Sequence, residues 1–222
     1  ERGILILDKS YDWDPTIKLQ RYNVRSNVDL KLSPTTQLRF NIGGYLQDRN
    51  STTKDISQIF QKAFVAVPHA FPAQYSSGQI PTTEEPNVWA WATQSGYKRR
   101  SDSKIETLFS VEQDLKFLLL GLKIKGTFSF DRFSSGTVSR GKTPDYYVPA
   151  TGRDDEGNLI IASKSNGTNF LDYSKSGDYG NKSVYMEATL SYDRTFAENL
   201  SVAAMLLFNL LNYDNVRKLP YS

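Results

Sequence analysis

The sequence predicts an all-β chain: a segment of an antiparallel, up-and-down transmembrane β-barrel with about six strands. Three observations predict it. Apolar and polar residues alternate with period two through separate runs, as they must where successive side chains leave opposite faces of a pleat. One face of these runs is aliphatic or aromatic, while the other carries Arg, Lys, Glu, Asp, Asn and Ser. The links between runs alternate between short and long along the chain.

The hairpin at 104–133 has the clearest pattern. Its first run sets Ile105, Thr107, Phe109, Val111 and Leu115 against Lys104, Glu106, Ser110, Glu112 and Asp114, with Leu108 the exception. The second sets Leu122, Ile124, Phe128 and Phe130 against Lys123, Lys125, Thr127, Ser129 and Asp131. The link 117–121 is apolar around Gly121, where two antiparallel strands turn back. Alternation alone also suits a soluble β-domain. Length favours a bilayer, which about 9–11 tilted residues cross with apolar side chains toward lipid and polar ones toward a wet lumen.

Composition agrees. The chain has 222 residues with no Cys, 13 Tyr, 12 Phe and 3 Trp. Its charge of +3 is the remainder of 27 basic and 24 acidic residues, so nothing points to nucleic acid. A mean hydropathy of −0.48 excludes a helical membrane protein but not a barrel, whose strands are only half apolar. The lack of Cys decides little about compartment. No charged n-region and apolar h-region begin at Glu1, and Glu1 is not an initiator Met, so a processed product or an internal fragment is expected.

In chain order, 1–19 reads as a loop with a short apolar lead at 4–7, broken by Pro15 and by Asp8, Asp12 and Asp14. Strands follow at 21–32, with Tyr22, Val24, Val28, Leu30 and Leu32 on one face, and at 37–47, with Leu38, Phe40, Ile42 and Leu46. A Pro34-containing turn at 33–36 joins them. Residues 48–103 lose the pattern and carry four prolines among aromatics, with one helix expected over 56–67 from the spacing of Ile56, Ile59, Phe60, Ala63, Phe64 and Val67. Strands at 104–116 and 122–133 form the central hairpin, and 134–182 is a second strand-poor stretch. The last strands are 184–196 and 200–213, joined by a tight turn at 197–199; in the last, 205–208 is apolar on both faces.

In an up-and-down meander alternate links lie at the same end. The short links 33–36, 117–121 and 197–199 therefore fall at one end and the long links 48–103 and 134–182 at the other. Outer-membrane barrels sort their loops in this way; a Greek-key sandwich has no reason to.

The strands also carry a family resemblance. Residues 21–29 (RYNVRSNVD), the turn after them and the strand 38–46 with Gly43-Gly44 resemble a barrel hairpin of the SusC/RagA-like TonB-dependent outer-membrane transporters. Residues 113–116 through 121–126 and 128–131 resemble a second hairpin, 190–196 (LSYDRTF) is similar to a third, and 219–221 resembles the entry to a further strand. The resemblance covers nearly all strand positions but not the loops, and it lies in order and spacing rather than in one motif. It implies a 22-stranded barrel in the bacterial outer membrane, an N-terminal plug, a TonB box read by the TonB complex, a SusD-like surface lipoprotein, and import of glycans or peptides. Neither plug nor TonB box is in this sequence, so all of 1–222 is expected to be barrel. Its six strands would leave two edges for the rest of the barrel to pair.

Two functions are weighed: a transporter segment and a soluble β-rich glycan-binding module. In the first, Arg25, Lys31, Arg39, Glu106, Glu112, Lys123, Lys125 and Glu187 line the lumen. In either, Phe71, Tyr75, Trp89, Trp91 and Tyr97 of the first long loop stack on sugars or pack against a partner; alternatively they fold the loop on itself. Tyr22, Phe130, Tyr185 and Tyr213 lie near loop ends, and Phe117 and Phe196 near turn ends, as interfacial belts would place them, although Tyr213 has lumen parity. No catalytic, metal or cofactor site is expected. His69 lacks ligand partners, the sequence at 154–158 (DDEGN) departs from EF-hand spacing and reads as a solvated turn, and Glu84-Glu85 reads as a solvated pair.

Overall fold

A computed structural model describes residues 13–196 and 200–216. They are 61% strand and 8% helix. In chain order the elements are β1 (Lys18–Ser33), β2 (Thr36–Thr52), α1 (Ile56–Val65), β3 (Ile80–Pro81), α2 (Val88–Thr93), β4 (Gly96–Asp114), β5 (Leu122–Gly141), β6 (Tyr146–Tyr147), β7 (Ser163–Ser165), β8 (Asp172–Phe196) and β9 (Leu200–Val216). Six of them form one open antiparallel sheet in the order β1-β2-β4-β5-β8-β9, and β3, β6 and β7 form a second, small sheet. The order of the large sheet is the order of the chain, so it is a meander.

Two compact units divide the described residues. One takes in 13–20, 48–101 and 136–177; the other takes in 21–47, 102–135, 178–196 and 200–216. The second unit holds the alternating stretches. Among the described residues the buried apolar side chains are Ile59, Ile80, Ala90 and Ala92 with Pro15, Pro81 and Pro144, all in the first unit. The apolar rows of the sheet bury nothing comparable: Val24 is 67% exposed, Leu30 50%, Phe40 42%, Phe109 40% and Ile124 44%.

Register confirms the two faces at β8 and β9. Residues directly opposite in an antiparallel pair share a face. Ala188 stands opposite Phe208 and Leu190 opposite Leu206, while Glu187 stands opposite Asn209 and Thr189 opposite Leu207. The apolar row thus crosses the pair intact. The other row of β9 mixes Met205, Leu207 and Leu211 with Asn209, which is why its parity is poor in the sequence.

The turns 33–36 and 117–121 lie at the end of the sheet where β4 stops. The Asp114 N–H donates to the Thr35 carbonyl at 2.7 Å, and Thr36 Oγ1 donates to Gln113 Oε1 at 2.6 Å. The Gly121 carbonyl accepts from the Asp193 N–H at 2.9 Å. Gly121 has φ +91°, and a Cβ there would lie 2.2 Å from the Asp193 carbonyl oxygen, so both conformation and space demand glycine. The expected turn at 197–199, the apolar lead at 4–7 and the strand entry at 219–221 lie outside the described residues.

All six expected strands are present, but three expectations need correction. Residues 48–103 are not strandless, because β2 runs on to Thr52 and β4 begins at Gly96. Residues 134–182 likewise give way to β5 as far as Gly141 and to β8 from Asp172. In these extensions both parities are polar, as at Lys98, Arg99, Arg100, Ser101 and Asp102, so the alternation ends while the backbone ladder continues. The helix over 56–67 is α1, capped by Asp55 Oδ1 on the Ser57 N–H at 2.7 Å and ending before Pro68. Of its apolar stripe only Ile59 is buried, and Phe64 is 87% exposed. Finally, Tyr185 belongs to the polar row and not to an outward belt: its hydroxyl is hydrogen-bonded to Glu187, two residues along the same face.

Candidate functional site

The polar rows of β1, β2, β4 and β5 form two shallow grooves. The larger, of about 560 Å3, is lined by Arg21, Asn23, Arg25, Asn41, Tyr45, Lys104, Glu106 and Asp131. The Arg21 guanidinium lies 4.0 Å from the centroid of the Tyr45 ring, and Lys104 is paired with Glu106. Gly44 belongs here because the Lys104 carbonyl oxygen would sit 2.3 Å from any Cβ at that position. The smaller groove, of about 220 Å3, is lined by Asp29, Lys31, Arg39, Ser110, Glu112 and Lys125.

The residues expected to line a lumen share this face. Arg25, Lys31, Arg39, Glu106, Glu112 and Lys125 line the grooves. Lys123 Nζ lies 3.8 Å from Glu112, and Glu187 accepts from Tyr185 and from Thr189. Arg39, Glu106, Glu112 and Lys123 each have a partner of opposite sign within 4 Å, and both signs are interspersed along the face.

The first unit holds two further clefts. One, of about 600 Å3, is lined by Trp13, Asp14, Lys18, Gln20, Asp48, Arg49, Asn50, Tyr97, Arg99 and Ser101. Asn50 Nδ2 donates to the Asp14 and Thr16 carbonyls at 2.8 and 2.9 Å, tying the chain ahead of β1 to β2. Lys142 Nζ lies 5.8 Å from the Trp13 ring. The other cleft, of about 380 Å3, is lined by Arg49, Lys54, Lys98 and Arg100 together with Ser51, Thr52, Thr53, Asp55, Ile56, Ser57 and Thr137.

The five loop aromatics all belong to the first unit. All are half-buried, and Tyr97 is the one that lines the first cleft. Trp89 and Trp91 stand on α2, whose N-cap Asn87 accepts from the Ala90 N–H and donates to the Ala73 and Pro81 carbonyls. Lys54 Nζ lies 5.2 Å from the Trp91 ring. The Tyr75 hydroxyl accepts the Ala150 N–H at 2.9 Å, joining the two long connections. Trp13, Arg49, Lys98 and Arg100 were not among the expected site residues. The basic triplet Lys98-Arg99-Arg100 was the available signal, and reading 48–103 as a loop obscured its strand alternation.

The three weaker candidates all stand exposed at the surface. His69 is exposed. Asp154 Oδ1 accepts from the Glu156 and Asn158 N–H groups, closing a local turn on itself. Glu85 pairs with Lys62 at 2.7 Å and Glu84 with Lys164 at 3.6 Å. Among the described residues, no three metal-ligating side chains of the His, Cys, Asp and Glu types come together. No protein-family model matches the chain, and no curated protein matches it in sequence.

Proposed function

We propose that the chain is a stretch of barrel wall in a SusC/RagA-like TonB-dependent transporter of the bacterial outer membrane, crossing that membrane several times. In this reading it imports glycans or peptides with a SusD-like lipoprotein, and the plug and the contact with the TonB complex come from elsewhere in the transporter. One observation carries the reading: a six-stranded meander whose apolar rows nothing in the described chain covers, set back to back with rows of Arg, Lys, Glu and Asn. In water such a face would cost about 25 cal/mol per Å2 of apolar surface, whereas lipid removes that cost. This weighs against the soluble glycan-binding module.

The sheet edges argue in the same direction. Among the described residues β1 and β9 each have one neighbour in the sheet, and an unpaired strand edge is not tolerated in hydrocarbon, so further strands complete the wall. Phe64, Val65 and Val67 add exposed apolar surface to the first long connection, suited to a protein lid.

Single cysteines test the reading, because the chain has none of its own. In native membranes, Glu112→Cys should react with a water-soluble maleimide and Phe109→Cys should be protected. The protein should also require detergent for extraction. Equal reactivity at both sites together with detergent-free extraction would overturn the assignment.

A further inference from the structure

We propose that the basic cleft lined by Arg49, Lys54, Lys98 and Arg100 binds a polyanionic oligosaccharide through its uronate carboxylates or sulfate esters. That this ligand is the imported solute rests on the transporter reading; the binding itself does not.

Strand geometry gathers the charges. Lys98 and Arg100 are two apart on β4, so they leave the same face of the pleat, and β2 is the neighbouring strand. Ser51 Oγ donates to the Lys98 carbonyl at 3.5 Å, which sets the end of β2 beside this part of β4 and brings Arg49 to the same cleft. Lys54 stands two residues beyond the end of β2, with its ammonium 5.2 Å from the Trp91 ring centroid. Four cationic side chains thus line one cleft, and hydrogen bonds from such donors to carboxylate or sulfate oxygens are of the strong, charge-assisted kind. Asp55 is the carboxylate among the lining residues, and it is engaged as the cap of α1.

The walls favour a sugar over an acidic peptide. Ser51, Thr53, Ser57 and Thr137 present hydroxyls, and Ile56 is the one aliphatic side chain among the described lining residues. A peptide has little apolar surface to bury there, whereas sugar hydroxyls find donors and acceptors on every side. The volume of about 380 Å3 lies within the range of small-molecule sites.

Calorimetric titration of the whole protein in detergent micelles tests the proposal, using tetragalacturonate, a chondroitin sulfate tetrasaccharide, maltotetraose and hexaglutamate. One or both charged glycans should bind, and which of them does so separates carboxylate from sulfate recognition. Maltotetraose should bind at least about tenfold more weakly, as should the charged glycan to Lys98→Gln/Arg100→Gln, because charge-assisted hydrogen bonds are lost in each case. Binding should also weaken as ionic strength rises to about 0.15 M. Arg49→Gln provides a second variant if the double substitution disturbs strand content by circular dichroism. The proposal is overturned by failure of both charged glycans to bind, by equal affinity for maltotetraose, by preference for hexaglutamate, or by unchanged affinity in the folded variants. None of these outcomes alters the cysteine-labelling pattern that tests membrane insertion, so the two readings fail separately.

Discussion

Arg39 on β2 donates from Nε to Oδ1 of Asp29 on β1 at 2.9 Å, spanning the first hairpin on its polar face. Both side chains are more than half exposed. An exposed pair of this kind contributes about 0–1 kcal/mol, since water screens it and two long side chains must be ordered to make it. Its value lies in keeping a wet face polar without leaving a net charge on it. A double-mutant cycle of Arg39→Gln and Asp29→Asn in a refolding titration should therefore give a coupling below about 1 kcal/mol. A coupling of several kcal/mol would mean that the pair is shielded from water.

Gly121 supplies a sharper test of the backbone. Alanine there must adopt φ near +91° and displace the Asp193 carbonyl, 2.2 Å from the new Cβ. At Gly126, in β5, nothing lies within 4 Å of an added Cβ. Gly121→Ala should destabilise by about 1–3 kcal/mol, while Gly126→Ala should be neutral or slightly stabilising, because it restricts the unfolded chain. Denaturant midpoints measured side by side decide the matter, and equal effects would contradict the turn geometry.

The sheet was legible in the sequence wherever its two faces differ in polarity, and illegible where they do not. Val24, Phe40, Phe109 and Ile124 announced their strands because Arg25, Arg39, Glu112 and Lys125 stood at the opposite parity. The stretches at 96–103 and 134–141 are strands by hydrogen bonding but carry polar residues at both parities, so no periodicity marks them. β3 and β6 are two-residue strands paired in parallel, and nothing local encodes a partner so distant in the chain. The basic cleft was missed for the same reason. Lys98 and Arg100 share a face only if 96–103 is extended.

Facing on the sheet can be tested by charge. Val111 and Ile124 stand in the apolar rows of β4 and β5, opposite in parity to Glu112 and Lys125. Replacing either with Arg should cost about 2–4 kcal/mol if the row crosses the middle of a bilayer. The same change at Thr127, in the polar row, should cost less. Refolding titrations into lipid vesicles provide the measurement, and tolerance of both Val111→Arg and Ile124→Arg would remove these positions from contact with lipid.

The small sheet β3-β6-β7 should loosen in alkali. Ile80 and Pro81 of β3 pair with Tyr146 and Tyr147 of β6, and Tyr147 in turn pairs with Ser163 of β7. Burial raises the pKa of the Tyr146 phenol above its ordinary value of 10.0, because the phenolate would lose its hydration. The folded state therefore holds the proton more tightly than the unfolded one. Its contribution is complete below pH about 10 and is lost as pH rises through the folded value. Limited proteolysis across 80–82 and 145–148 should accordingly accelerate above pH about 10, at constant peptide-bond reactivity in a denatured control. Tyr146→Phe should abolish that acceleration, since phenylalanine fills the same space and has no proton to lose. An undiminished alkaline response in Tyr146→Phe would assign the effect to another group.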